Sequence, residues 1–118
     1  MESKRYDKIQ LISTSTHRIQ GEFSIDRITE QTGTEKLSIS FVSFSPGTMR
    51  PWNSHSQDQY VWTIKGKGLV VSEYEEFVLE PGMMVFIPAG LRHRHGAVES
   101  EPFTQLSIIG GTSLSKDE

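Results

Sequence analysis

The chain has 118 residues, enough for one domain with a core of its own and too few for two. Its formal net charge of -3, its 12 Lys and Arg with no basic stripe, and its lack of cysteine exclude nucleic-acid binding, disulfides, thiolate metal sites and Cys nucleophiles. No run approaches the roughly 18 apolar residues that span a bilayer, and the charged opening Met1–Gln10 has no signal-peptide stretch, so a cytoplasmic protein without a membrane partner is expected.

Residues 1–16 are mixed and polar, with Thr14-Ser15-Thr16 as loop, and His17 has no partner in the text and is expected at the surface. Phe23–Ile28 and Leu37–Phe41 alternate with the period of two that marks a half-buried strand, and Val42 and Phe44 carry the second to a turn at Pro46-Gly47. Further strands are expected at Gln59–Ile64, Leu69–Ser72, Glu76–Leu79, Met83–Ile87, Leu91–Gly96 and Phe103–Ile109. Turn residues punctuate them at Gly66/Gly68, Pro81-Gly82 and Pro88-Ala89-Gly90. No segment carries a helical stripe, and many short strands between Gly and Pro turns make an all-β sandwich or barrel.

Three of the four histidines fall in two blocks, each following a Pro-Gly turn. The first runs from Gly47 through Asn53, His55 and Gln59 to Gly66; the second runs from Gly82 through Pro88 and Gly90 to His93, with His95 two residues on. These spacings resemble the two motifs of the cupin superfamily, G-x5-H-x-H-x3-E-x6-G and G-x5-P-x-G-x2-H-x3-N. Gly47, His55, Gly66, Gly82, Pro88, Gly90 and His93 match; Asn53 stands for the first histidine, Gln59 for the glutamate and Ala97 for the final asparagine. The resemblance implies an antiparallel double-stranded β-helix, the cupin or jelly-roll barrel. It would form a single domain over 1–118, with a barrel core of about 21–110 between a frayed N-terminal segment and a C-terminal tail.

The strings Pro51–His55 and His93–Ala97 look most like the small bacterial cupins that include manganese-dependent hydroxynitrile lyases. Those proteins use Gln at the position of Gln59 but keep His at that of Asn53, and they carry a late-strand histidine where this chain has Gln105.

The resemblance implies a metal site of His55, Gln59 and His93, with Asn53 as a weaker fourth donor. The ion would be a divalent transition metal: manganese, iron, nickel, copper or zinc, held weakly or not at all. Two imidazoles and an oxygen donor suit such an ion, whereas a neutral amide in place of imidazole or carboxylate lowers affinity. His95, two residues beyond His93 on a strand, falls on the same face, where it replaces the missing histidine, moves protons above the metal, or stands at the rim. Arg50 and Arg92 are candidates for holding a carboxylate, against a plain surface role. Trp52, Tyr60, Trp62, Met84 and Phe86 either line an apolar pocket or pack in the core.

Two functions remain open: a metal-dependent oxygenase, isomerase, decarboxylase or lyase acting on a small organic molecule, and a non-catalytic small-molecule binding or sensing module that has lost its metal. A homodimer is expected from the family and from the need to cover an edge strand.

Overall fold

A computed structural model describes Ile12 and residues 23–111. The polar segment 1–16 apart from Ile12, His17, the first residues of the expected core and the tail 113–118 lie outside the described residues. Eight strands follow in order: β1 (Phe23–Arg27), β2 (Leu37–Phe44), β3 (Gln59–Gly66), β4 (Gly68–Ser72), β5 (Glu76–Leu79), β6 (Met84–Ile87), β7 (His93–Ala97) and β8 (Phe103–Gly110), with one 3-10 turn at Ile28–Gln31. Among the described residues no helix is long and apolar enough to cross a membrane.

The strands form two antiparallel sheets, β1-β2-β8-β3-β6 and β5-β4-β7, facing each other as a jelly roll. The segment after β2 extends the smaller sheet. Met49 bridges Gly96 and Asn53 bridges His93, so residues 48–53 run antiparallel beside β7.

Strand positions follow the turn chemistry closely. The Pro81-Gly82 turn is closed by the Met83 N–H donating to the Glu80 carbonyl, which starts β6 one residue later than expected. Leu91 N–H donates to the Pro88 carbonyl, so the turn around Gly90 holds Leu91 back and β7 begins at His93. A register shift between Thr63 and Lys65 marks a bulge in β3 against β8.

The interior is divided lengthwise. One end is apolar: Val42, Phe44, Val61, Val70, Leu79, Ile87, Ala97 and Phe103 form the core, and the Phe44 and Phe103 rings stack at 5.9 Å. Full burial of a ring such as Phe103 contributes about 2–3 kcal/mol. The other end is polar: Ser38, Ser40, His55, Gln59, His93, His95, Gln105 and Ser107 are all buried.

This division inverts the alternation in β2. Ser38 and Ser40 face inward, while Leu37, Ile39 and Phe41 take the outward phase until Val42 and Phe44 rejoin the core. The same outward phase carries Leu106 and Ile108 in β8, Tyr60, Trp62 and Ile64 in β3, and Met84 and Phe86 in β6. Tyr60, Met84 and Phe86 are 46%, 50% and 52% exposed, so none of the three packs in the core: the inward phase of β3 belongs to Gln59, Val61 and Thr63, while Phe86 borders a groove between β4, β5 and β6.

Candidate functional site

The polar end encloses a cavity of about 30 Å³, room for water-sized or single-ion occupants and a small head group. Asn53, His55, Gln59 and His95 line it, together with Gln105 and Ser107 from β8, Ser38 and Ser40 from β2, Arg27 from β1, and Arg50.

Backbone pairing explains the convergence. Asn53 and His93 exchange two hydrogen bonds, each 2.8 Å, and Arg50 N–H donates to the His95 carbonyl at 2.8 Å. Gly90 N–H donates to the His55 carbonyl at 2.8 Å, which ties the second motif's turn to the first motif's histidine. The two sequence blocks, some forty residues apart, thus become neighbouring rungs of one ladder. His55 lies in an irregular stretch rather than a strand, yet it still reaches the cavity beside Asn53.

His93 stands slightly apart. Its ring centre is 5.4 Å from that of His55 and 4.9 Å from that of His95, and it also borders a groove of about 240 Å³ between β4, β5 and β6. Its Nδ1 is 2.9 Å from the Leu91 carbonyl oxygen, the arrangement of an N–H donor, which leaves Nε2 buried without a hydrogen-bond partner. Gln59 is oriented likewise: Nε2 donates to Ser107 Oγ at 2.8 Å, and Oε1 is buried and unsatisfied. Gln105 Oε1 and His95 Nδ1 are also buried without partners. Asn53 Oδ1 accepts from the Ser54 N–H at 2.7 Å.

Burial and nearby charge keep His93 and His95 neutral. Burial pushes His93 down from the ordinary imidazole value; the Leu91 carbonyl opposes this and the Arg50 charge adds to it. His95 lies well below that value, chiefly through burial, with His93, Arg50 and His55 contributing.

The donor chemistry suits a divalent transition ion: amide oxygen and imidazole nitrogen, each oriented by its other polar atom. Among the described residues, however, no three His, Cys, Asp or Glu side chains form a group that could hold a metal. Among the described residues His55, His93 and His95 are thus not grouped as a three-imidazole cage.

Arg50 reaches the cavity, its guanidinium 4.9 Å above the Phe23 ring. Arg92 does not: exposed, it lies 5.4 Å from the Trp52 ring centre, as does Arg94. The second cavity arginine is Arg27, which the sequence reading missed. It ends an alternating strand far from either motif, and only the inward phase of Ile25 points to it.

A two-sheet jelly roll with both histidine blocks at one polar end defines a cupin. The Cupin domain family matches residues 40–109, more than half of the chain, and the protein belongs to that family. No curated protein matches the sequence. Solved structures do. A cupin superfamily protein from Desulfitobacterium hafniense DCB-2 is 17% identical with a TM-score of 0.70, covering 80% of this chain and 83% of that one. A cupin-like protein from Thermotoga maritima MSB8 is 24% identical with a TM-score of 0.68, over 92% and 83%. An oxalate decarboxylase variant from Bacillus subtilis is 22% identical with a TM-score of 0.71, over 88% of this chain and 29% of that one. At these identities the likeness establishes the fold and nothing finer.

Proposed function

We propose that this cupin is a metal-dependent enzyme acting on a small organic molecule. In this reading His55, Gln59 and His93 hold a divalent transition ion, Asn53 adds a weak donor, and His95 moves protons. The observation that carries it is the pair of oriented, unsatisfied donors, Gln59 Oε1 and His93 Nε2, buried beside His55. Leaving such an atom unpaired costs about 1–3 kcal/mol, so several around one cavity mark a place built for an occupant.

When bound, a divalent ion supplies Lewis acidity that draws electron density from a carbonyl or carboxylate oxygen. The chain's own residues do the rest. His95, kept neutral by burial, is in the state that accepts a proton near pH 7. Gln105 and Ser107 offer amide and hydroxyl contacts to an oxygen-bearing ligand, and the small cavity limits water around it.

The reaction belongs among oxygenation, isomerisation, decarboxylation and lyase chemistry; similar folds include the decarboxylase above and a DMSP lyase from Ruegeria pomeroyi DSS-3. Gln59 stands as in the manganese-dependent hydroxynitrile-lyase-type cupins, which makes manganese the first ion to try. Asn53 and Gln105 replace histidines of that group, so its lyase activity is not part of the proposal.

Untagged protein is expected to hold near-stoichiometric metal, as isolated or after reconstitution, and His93→Ala to lose it. Metal far below one per chain after reconstitution would favour the second reading, a binding or sensing module. That reading draws on Asn53, on Gln59 and on the lack of a three-residue His, Cys, Asp or Glu group among the described residues.

The outer face of the larger sheet supports a homodimer. Leu37, Tyr60, Ile64, Met84 and Phe86 are each 39–52% exposed on it. With aromatic and aliphatic side chains of roughly 150–250 Å², they present about 400 Å² of apolar surface, half of the ~800 Å² per partner of a stable interface before their half-buried neighbours are included. Sedimentation is expected to give twice the chain mass, and Phe86→Asp with Tyr60→Asp to give monomer. A monomeric wild type would overturn the dimer.

A further inference from the structure

The groove of about 240 Å³ between β4, β5 and β6 is a second opening, and it shares no lining residue with the polar cavity. β5 and β6 are edge strands of the two sheets, and the groove opens between them. Phe77 shows that the sandwich is not closed here: it is in register with buried Val70, on the inward phase, yet 46% exposed. β1 and β8, from which the residues outside the described ones continue, contribute none of the lining.

Three aromatic side chains stand around this groove unburied: Phe77, Phe86 and Tyr74, the last 76% exposed. Exposed rings gathered at one opening mark a binding surface. The charge of the lining has one sign. Glu75 supplies it, no Lys or Arg takes part, and His93 at the buried end is held neutral chiefly by burial.

The β4–β5 turn fixes Tyr74 and Glu75. Ser72 N–H donates to the Glu75 carbonyl at 2.8 Å, and Ser72 Oγ accepts from the Tyr74 and Glu75 N–H groups at 3.1 and 3.2 Å. Glu73 hydrogen-bonds the Tyr74 phenol, which puts a second carboxylate beside that ring. An ordered turn loses less entropy when a ligand is captured.

Aromatic faces attract a cation lying within about 6 Å of the ring centre, and a nearby carboxylate adds to the attraction. The kind of cation follows from the walls. Val70, Val85 and Leu91 are apolar, and an ammonium with free N–H groups would lose strong hydration against them. A quaternary ammonium has no N–H to leave unpaired and presents methyl groups instead.

We infer that the groove binds a small quaternary ammonium compound, with Tyr74, Phe77 and Phe86 around the cation and Glu75 as its counter-charge. An apolar cavity of about 150 Å³ takes a benzene ring, so the groove admits a trimethylammonium head with a short chain. This site stands whether or not an ion occupies the polar cavity.

Choline, its neutral carbon isostere 3,3-dimethylbutan-1-ol, and ethanolamine are the probes, titrated into the full chain and followed by ligand-observed NMR. Choline is expected to bind roughly tenfold or more tightly than either of the others. Phe86 also belongs to the apolar face proposed for the dimer, so the substitutions are made in the exposed turn. Tyr74→Ala and Glu75→Gln are each expected to weaken choline roughly threefold or more and to leave the isostere unchanged. Equal affinity for choline and the isostere would reduce the groove to an apolar surface, and tighter ethanolamine would make it a plain acidic patch. Either result overturns the inference, as does choline affinity indifferent to both substitutions, or no choline binding up to about 10 mM. The wild-type comparison of probes needs no variant to fold.

Discussion

Gly96 sits between His95 and Ala97 where the 48–53 segment crosses β7. A Cβ there would meet Met49 Sδ, the Thr48 carbonyl oxygen and, at 2.8 Å, Met49 Cα. Two of those three atoms are backbone, so Gly96→Ala must push the segment outward. Overpacking costs about 1–3 kcal/mol, and the displaced segment strains two ladder bonds worth about 1 kcal/mol each, giving ~3–5 kcal/mol in all. Those bonds are Arg50 N–H to the His95 carbonyl and Ala97 N–H to the Thr48 carbonyl. For a domain of this length the melting temperature is expected to fall by roughly 12–20 °C. The same movement shifts Asn53 and its bridge to His93, so the metal affinity of the folded protein falls at least tenfold. Gly68→Ala is the matched comparison. Its Cβ would strike the Phe103 ring, with Cγ and Cε2 at 2.5 Å, and Gly68 does not line the cavity. It should lose comparable stability and keep its site affinities. Urea denaturation with manganese titration reads both effects. A Gly96→Ala protein within about 1 kcal/mol of wild type, or equal loss of site function in both variants, refutes the ladder as what positions the site.

Asn53→His places an imidazole on a backbone already bridged to His93, and it should raise manganese affinity at least tenfold; equilibrium dialysis showing no gain would remove position 53 from the ligand set. Metal-free protein should lose stability as pH falls below about 6.5, because His93 and His95 are held neutral in the fold while the unfolded chain takes up protons there. Stability should be flat above about 7, and a urea midpoint that rises from pH 7.5 to 5.5 contradicts this. Glu80→Gln removes the 3.4 Å contact of Glu80 with Lys67, an exposed pair, and should change stability by less than about 0.5 kcal/mol, while a loss above about 1 kcal/mol would show that the pair is no ordinary surface contact.

The legibility of the chain in its sequence varied with the kind of signal. Turns were plain, because glycine and proline restrict the backbone locally, and they bounded every described strand to within about two residues. The motif spacing brought Asn53, His55, Gln59 and His95 to one cavity, since fixed spacing on paired strands fixes side-chain direction. The inward face of β2 was not legible. Alternation gives a period without saying which phase faces in, and Ser38 and Ser40 took the inside because the cavity there is polar. The same ambiguity of phase hides Arg27, and of the two readings open for Arg92 the plain surface role holds, since it is exposed beside the Trp52 ring.

The two-way backbone bridge between Asn53 and His93 makes the barrel a jig. It clamps main chain to main chain, so the position of residue 53 is set whatever side chain it carries. Donors can then be exchanged one at a time, imidazole for amide or carboxylate for carboxamide, without renegotiating the fold. A scaffold of that kind lets chemistry drift faster than architecture, and a single codon separates the amide at position 53 from an imidazole in the same place.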